Sequence, residues 1–177
     1  MTGLRLRIAQ HEDLNVLMGV MDAAIGELQK AFLSADEIEA SRQVMGLDTQ
    51  LIKDQCYFVV EDGTQIVGCG GWSYRATLYG GDHTTETRDP ERLDPTRDAA
   101  RVRAMYTHPD HARRGIGRMV ISACEDAARK AGFKRTELMA TLSGAPLYRA
   151  VGYTPVEEVI HAVNGVDVPL IRMDKAL

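Results

Sequence analysis

The stretch His108-Pro-Asp-His-Ala-Arg-Arg-Gly-Ile-Gly-Arg118 gathers three guanidinium groups, on Arg113, Arg114 and Arg118, around the two glycines Gly115 and Gly117. That combination suits a ligand with several anionic oxygens. Guanidinium groups form charge-assisted bonds with phosphate, and glycines let the main chain approach a ligand closely. Downstream, Ile116, Met119, Val120, Ala123, Cys124, Ala127, Ala128 and Ala131 recur at helical spacing until Gly132 stops the run. The glycines therefore stand where a strand hands over to an amphipathic helix. A helix start carries unpaired backbone N–H groups and about half a unit of positive charge, so a pyrophosphate is stabilised there without metal or base. A plain strand-to-helix turn with solvated arginines has the same local pattern, and a lone Gly-x-Gly does not separate the two.

The elements that must position this turn follow from periodicity and punctuation. Residues 4–9 alternate around Arg5 and Arg7 as a half-buried strand, and Leu14, Leu17, Met18, Met21 and Ile25 mark a helix face. Ser34-Ala-Asp-Glu37 is a capping box that opens a second helix, expected to carry Ile38, Val44 and Met45 before Gly46 ends it; Asp48 caps a short helix through Lys53. Strands are expected at 56–61 and 66–74 about an Asp62-Gly63 turn, at 100–107, and at 136–140. A helix is expected at 118–131 and a short one, with Pro146 in its first turn, at 145–150. A final hairpin pairs 156–163 with 166–173 about Asn164-Gly165. Residues 75–98 lack periodicity. A loop of that length is usually functional or disordered, so it is either part of a substrate site or a surface excursion.

This order predicts an α/β domain with a mixed sheet, one unit over residues 1–177. A P-loop would need Lys and then Ser or Thr after the second glycine, where Arg118 and Met119 stand. A dinucleotide fold would need a third glycine near Met119 or Val120. The net charge is −4 with both signs mixed along the chain, so nothing suggests a nucleic-acid or membrane surface. With no apolar run of bilayer length and no signal-peptide core, a cytoplasmic location is expected. Cys56, Cys69 and Cys124 are odd in number, lie in apolar segments and lack metal-ligand spacing. They read as reduced core residues, and no metal is expected.

Three landmarks together resemble the GNAT superfamily of acyl-CoA-dependent N-acyltransferases over essentially the whole chain. One is His108-Pro109 followed by Arg113-Arg114-Gly115-Ile116-Gly117, similar to the family's (Gln/Arg)-x-x-Gly-x-(Gly/Ala) turn. Another is Gly144-Ala-Pro-Leu-Tyr148-Arg-Ala-Val-Gly152-Tyr153, similar to its late Leu-Tyr-x-x-x-Gly-(Phe/Tyr) segment. The third is the order of elements. The resemblance implies a mixed, mostly antiparallel twisted sheet of about seven strands with helices on both faces. Three positions depart from the family pattern: Ala112, where Gln or Arg is frequent, Thr141, where Asn often precedes the late helix, and Gly144, where Ala is usual.

By that resemblance the reaction is N-acetylation: a primary amine attacks the thioester of acetyl-CoA directly and coenzyme A leaves as a thiolate. An alkylamine of pKa near 10.4 costs about 4 to 5 kcal/mol to deprotonate at neutral pH, and the thiolate must gain a proton. The family motif makes Tyr148 the acid at the sulfur. It assigns the pantetheine arm to main-chain groups on the strand segment Met105, Tyr106 and Thr107, and Thr141, at the position of the family's Asn, is a further candidate cofactor contact. Backbone N–H groups between Arg113 and Arg118, with Gly115, Ile116 and Gly117 in the turn, then take the pyrophosphate. The base stays open: some family members have Glu where this chain has Arg101, which cannot serve, and Glu137, Asp82, His83 or a water chain are the alternatives. Trp72, Tyr74 and Tyr79 are candidates to line the acceptor pocket. The acceptor is expected to be a small-molecule or peptide amine, and a homodimer is compatible with this reading. The other reading is a non-catalytic acyl-CoA-binding or regulatory module on the same fold.

Overall fold

Alternating and fully apolar segments become seven strands: β1 (Leu4–Ile8), β2 (Tyr57–Asp62), β3 (Gln65–Ser73), β4 (Ala100–Thr107), β5 (Arg135–Thr141), β6 (Thr154–Val163) and β7 (Val166–Ala176). The computed structural model describes residues 3–177. The strands form one sheet in the order β1-β2-β3-β4-β5-β7-β6. Every neighbouring pair is antiparallel except β4 and β5. The helices are α1 (Leu14–Leu28), α2 (Ala35–Ser41), α3 (Thr49–Lys53), α4 (Ile116–Lys130) and α5 (Ala145–Ala150).

The sheet is covered on both faces. On one, α4 buries Ile116, Val120, Ile121, Cys124 and Ala128 with Val60, Val67, Val102 and Leu138 of the strands. On the other, α1 buries Leu17, Val20, Met21, Ala24 and Ile25 with Val59, Ile66, Cys69 and Tyr106. Each large aliphatic side chain removed from water contributes about 1.5–3 kcal/mol, so these two stripes fix which helix lies on which face. All three cysteines are free and buried, and burial pushes the Cys56 and Cys69 thiols up to about 12 and Cys124 higher still. Among the described residues, no helix is long and apolar enough to cross a membrane.

Several strand ends shift from expectation by one to three residues, with β6 starting at Thr154 and β7 running to Ala176, and three further boundaries differ. The capping box forms as expected, with Ser34 accepting from the Glu37 N–H, but α2 stops at Ser41 rather than running to Met45. Residues of the long loop take over the carbonyls that a longer helix would use: His83 Nε2 bonds the Arg42 carbonyl at 2.8 Å and Thr84 Oγ1 donates to that of Gln43 at 2.9 Å. The first tight turn is centred on Gly63 and Thr64, one residue later than Asp62-Gly63. The helix after the basic turn begins at Ile116, two residues before Arg118.

Residues 75–98 form an ordered excursion that doubles back on itself. Ala76 N–H donates to the Glu91 carbonyl, Thr77 N–H to that of Asp89 and Leu93 N–H to that of Tyr74, each at 2.8 Å. Its base is pinned by Arg75, which reaches Asp54 at 2.6 and 2.9 Å. Burial alone would raise the Asp54 carboxyl, but its bonds to Arg75 and Gln50 outweigh that and hold it below the usual carboxylate range.

Candidate active site

The parallel pairing of β4 with β5 extends only over Ala100 with Thr136 and Arg101 with Glu137. Beyond it the two strands part. His108 N–H bonds the Val67 carbonyl on β3 at 2.9 Å. Since successive main-chain groups of a strand point to opposite edges, those of Thr107 and Met105 face the gap left by β5. Between Cys69 and Gly71 the register with β4 slips by a bulge, and Ala104 sits there at φ 51°. A non-glycine residue in the left-handed region costs on the order of 1–2 kcal/mol, and Tyr57 Oη holds this one by donating to the Ala104 carbonyl at 2.6 Å.

At the outer end of the gap lies a cleft of about 470 Å³, whose walls include Thr107, Arg113, Gly117, Arg118, Ser143 and Leu147. The N-terminus of α4 opens into it. Met119 is the first α4 amide to bond backwards, to the Gly115 carbonyl at 3.0 Å; among the described residues the N–H groups of Ile116, Gly117 and Arg118 have no partner. Gly115, at φ 81°, makes the turn into the helix, while at Gly117 a Cβ would lie 2.5 Å from Leu147 Cδ2. The second glycine thus lets α4 and α5 approach each other. No carboxylate lines the cleft among the described residues, and two arginines do. Unpaired amides, a helix start and uncompensated guanidinium groups form a donor set that fits a pyrophosphate.

Arg114 departs from its expected place. It bonds Asp62 at 2.7 Å and His111 at 2.8 Å, on the side of the β2–β3 hairpin, and does not line the cleft. Ile116 contributes its backbone only, because its side chain is buried beneath the helix. The two histidines of the turn are structural: His108 caps a short 3-10 turn by accepting from Asp110 N–H, and His111 holds Arg114.

Two further cavities continue inward. The middle one shares Thr107, Gly117, Ser143 and Leu147 with the outer cleft, and shares Met45, Met105, Gly144 and Tyr148 with the innermost. Tyr148, on the short helix α5, is 9% exposed. Thr141 Oγ1 accepts from Gly144 N–H at 3.1 Å and so shapes the turn into α5. Among the described residues the Tyr148 hydroxyl has no hydrogen-bond partner, although it lines both inner cavities. Burial raises its pKa above that of a free phenol, so it carries its proton throughout the neutral range. Tyr106 also lines both inner cavities, and its hydroxyl accepts from Gly46 N–H at 2.8 Å.

The innermost cavity is bounded by the gap in the sheet and by Leu78, Tyr79 and Gly80 of the long loop. The loop is therefore a wall of the site. Its anchor is Arg103 on β4, which bonds Asp48 at 2.9 Å and the Gly80 carbonyl at 2.7 Å, with both ionic side chains buried. Periodicity gives no sign of this pair, whose members are 55 residues apart. Of the three aromatic residues expected at an acceptor pocket, only Tyr79 lines this cavity. Trp72 is buried in the core beneath α4 against Phe133 and Tyr74, and Tyr74 lies between Arg75 and Arg92.

None of the side-chain candidates for a base lines the innermost cavity. The Glu137 carboxylate is shared by Arg101 at 3.3 Å and Arg172 at 3.2 Å. Asp82 accepts from Thr49, and His83 holds the end of α2.

The profile of the acetyltransferase (GNAT) domain family matches residues 53–155, more than half of the chain. No curated protein matches. Among solved structures, a GCN5-related N-acetyltransferase from Rhodopseudomonas palustris superposes with a TM-score of 0.73 at 20% identity, covering 100% of this chain and 98% of that one. The PaiA N-acetyltransferase of Thermoplasma acidophilum, solved in complex with coenzyme A, gives 0.65 at 14% identity over 99% of both chains. A ribosomal-protein-alanine N-acetyltransferase from Brucella melitensis gives 0.66 at 16%, covering 98% of this chain and 99% of that one. At these identities the likeness is one of fold.

Proposed function

The chain belongs to the GNAT family of acetyltransferases, and from that premise we propose that it transfers an acetyl group from acetyl-CoA directly to a primary amine within a ternary complex. The observation that carries this reading is the run of three adjoining cavities from the unpaired amides of α4 to the partnerless hydroxyl of Tyr148. The amides of Ile116, Gly117 and Arg118, with the guanidinium groups of Arg113 and Arg118, hold the pyrophosphate. The pantetheine arm lies along β4 in the gap, bonded by main-chain groups of Met105 and Thr107 as a further strand would be. Thr141 sets the turn that carries Tyr148.

Tyr148 gives its proton to the departing sulfur. A phenol is a weaker acid than a thiol by about 1.5 units in water, about 2 kcal/mol, and burial raises Tyr148 further. The transfer is therefore uphill by itself and is concerted with C–S cleavage, as charge builds on the sulfur.

A non-catalytic acyl-CoA-binding module is the second reading. It is favoured by Arg101, which occupies the place of a Glu in related enzymes and pairs with Glu137. Measuring thiol release from acetyl-CoA across polyamines, amino acids, aminoglycosides and peptide N-termini tests the two readings. Release dependent on one class of amine supports acetyl transfer. Thermal stabilisation by coenzyme A without release for any amine supports the binding module.

A further inference from the structure

Tyr79 leads out of the innermost cavity through a chain of two ionisable groups. Its hydroxyl lies 2.8 Å from His161 Nδ1 on β6, and His161 Nε2 lies 3.4 Å from Glu86 Oε1, back on the long loop. The tyrosine and imidazole rings meet edge to face at 5.6 Å. The imidazole is 13% exposed and the carboxylate 60% exposed, so the chain runs from the cavity to solvent. A carboxylate at Nε2 favours the tautomer with the proton on that nitrogen, which leaves Nδ1 to accept from the Tyr79 hydroxyl. Tyr79 lines the cavity it shares with Tyr148, and its phenol oxygen keeps a lone pair after donating to His161.

We propose that Tyr79, His161 and Glu86 form the proton exit for the acceptor amine. The inference rests on the acetyl-transfer reading and supplies the base that reading lacks. The bound ammonium passes one proton to the Tyr79 oxygen as the Tyr79 hydroxyl proton passes to His161 Nδ1; the freed amine then attacks the acetyl carbon, and the second proton lost from nitrogen restores Tyr148 after it has protonated the sulfur. The imidazolium is balanced by Glu86 and loses its Nε2 proton to water, and proton exchange with solvent returns the ring to its Nε2–H tautomer before the next turnover. Tyr79 ends as it began, and one proton has moved from the amine to solvent.

The surroundings leave this role to these three groups. On its own strand His161 shares a face with Val159 and Val163, and β7 sets Val168 opposite it. The α2 helix joins this cluster through Ala40, with Val44 just beyond its end. The neighbouring acids are registered elsewhere, Asp167 opposite Ala162 and Glu158 opposite Ile171. Among the described residues, the remaining ionisable groups of the cavity are Tyr106, which is bonded to Gly46, Arg103, which is bonded to Asp48, and Tyr148.

The test is the pH profile of kcat/KM for whichever amine the parent acetylates, followed by thiol release from pH 6 to 9 in Tyr79→Phe and His161→Gln. Each variant is expected to lose on the order of 100-fold at pH 6.5, the low end of what a positioned base contributes. The deficit narrows as pH rises and the free amine supplies itself, and the double variant loses no more than either single one. Tyr79→Phe removes one oxygen, so it reports even if His161→Gln folds poorly. An unchanged rate, or a deficit constant across the pH range as lost packing would give, overturns the proton exit and leaves acetyl transfer standing. A parent that releases no thiol with any amine overturns both.

Discussion

The two ends of the cleft are built on opposite plans. The outer end, about 470 Å³, is formed by main-chain amides and two arginines around one helix start. The inner end, about 90 Å³, is closed by side chains from β4, β5, β7, α5 and the 75–98 loop, fixed by a buried ion pair and a phenol–imidazole bond. An anion needs only donors at its oxygens, which a turn of backbone supplies to any pyrophosphate. Proton transfer needs particular groups within hydrogen-bond reach, and these come from distant segments. Binding and chemistry should therefore respond separately to mutation.

The largest effect is expected from Tyr148→Phe. It should lower kcat by about 10²–10⁴-fold at saturating amine while leaving the coenzyme A dissociation constant within about 2-fold by calorimetry, as loss of a positioned acid would. Parent turnover in this variant would remove Tyr148 from the chemistry. Next is Asp48→Asn, which leaves the buried Arg103 charge without its partner. A loss of about 3–5 kcal/mol in unfolding free energy is expected, with the KM for amine rising more than that for acetyl-CoA. Equal changes in both would mean that the two ends are mechanically one unit.

At the outer end, Arg113→Ala and Arg118→Ala should each weaken coenzyme A binding by about 10- to 150-fold, from roughly 1.5–3 kcal/mol per charge-assisted bond, and salt should shrink the difference. Arg114→Ala provides the contrast. Its partner is Asp62 at the protein surface, and it should change affinity by less than about 3-fold. If Arg114 mattered as much as its neighbours, the cleft assignment would be wrong.

The smallest effect concerns the loop base. Because the Asp54 carboxyl is held below its unfolded value near 3.9, its contribution to stability is complete above that pH and fades as pH falls through the lower folded value. Amide exchange in residues 75–98 should be slow and unchanged from pH 7 to 5, after correction for intrinsic rates, and should accelerate below about pH 4. Acceleration between pH 7 and 5 would point to a different anchor.

This contrast also explains what the sequence made legible. Strand β4 was expected at 100–107 and forms over Ala100–Thr107, and the short helix at 145–150 forms over Ala145–Ala150, because apolar alternation, Pro146 and Gly152 are local signals. The turn around Gly115 is equally local. The early end of α2 was not legible, since it depends on His83 and Thr84 arriving from 41 residues away to take its carbonyls. Trp72 and Tyr74 looked like pocket aromatics because periodicity places a side chain on a face without saying what covers that face. The Tyr79–His161 contact spans 82 residues and joins a loop without periodicity to an edge strand, so no window along the chain contains both.

The burial of Cys56, Cys69 and Cys124 has a practical consequence for each measurement of thiol release. A disulfide reagent that titrates released coenzyme A consumes thiolate, and the folded protein presents almost none. The enzyme is spectroscopically silent in its own assay. Unfolding exposes three thiols per chain, so the same reagent, added without substrate, counts the molecules that have come apart. A variant that loses turnover while its cysteines stay unreactive has lost chemistry, and one whose cysteines react has lost its fold.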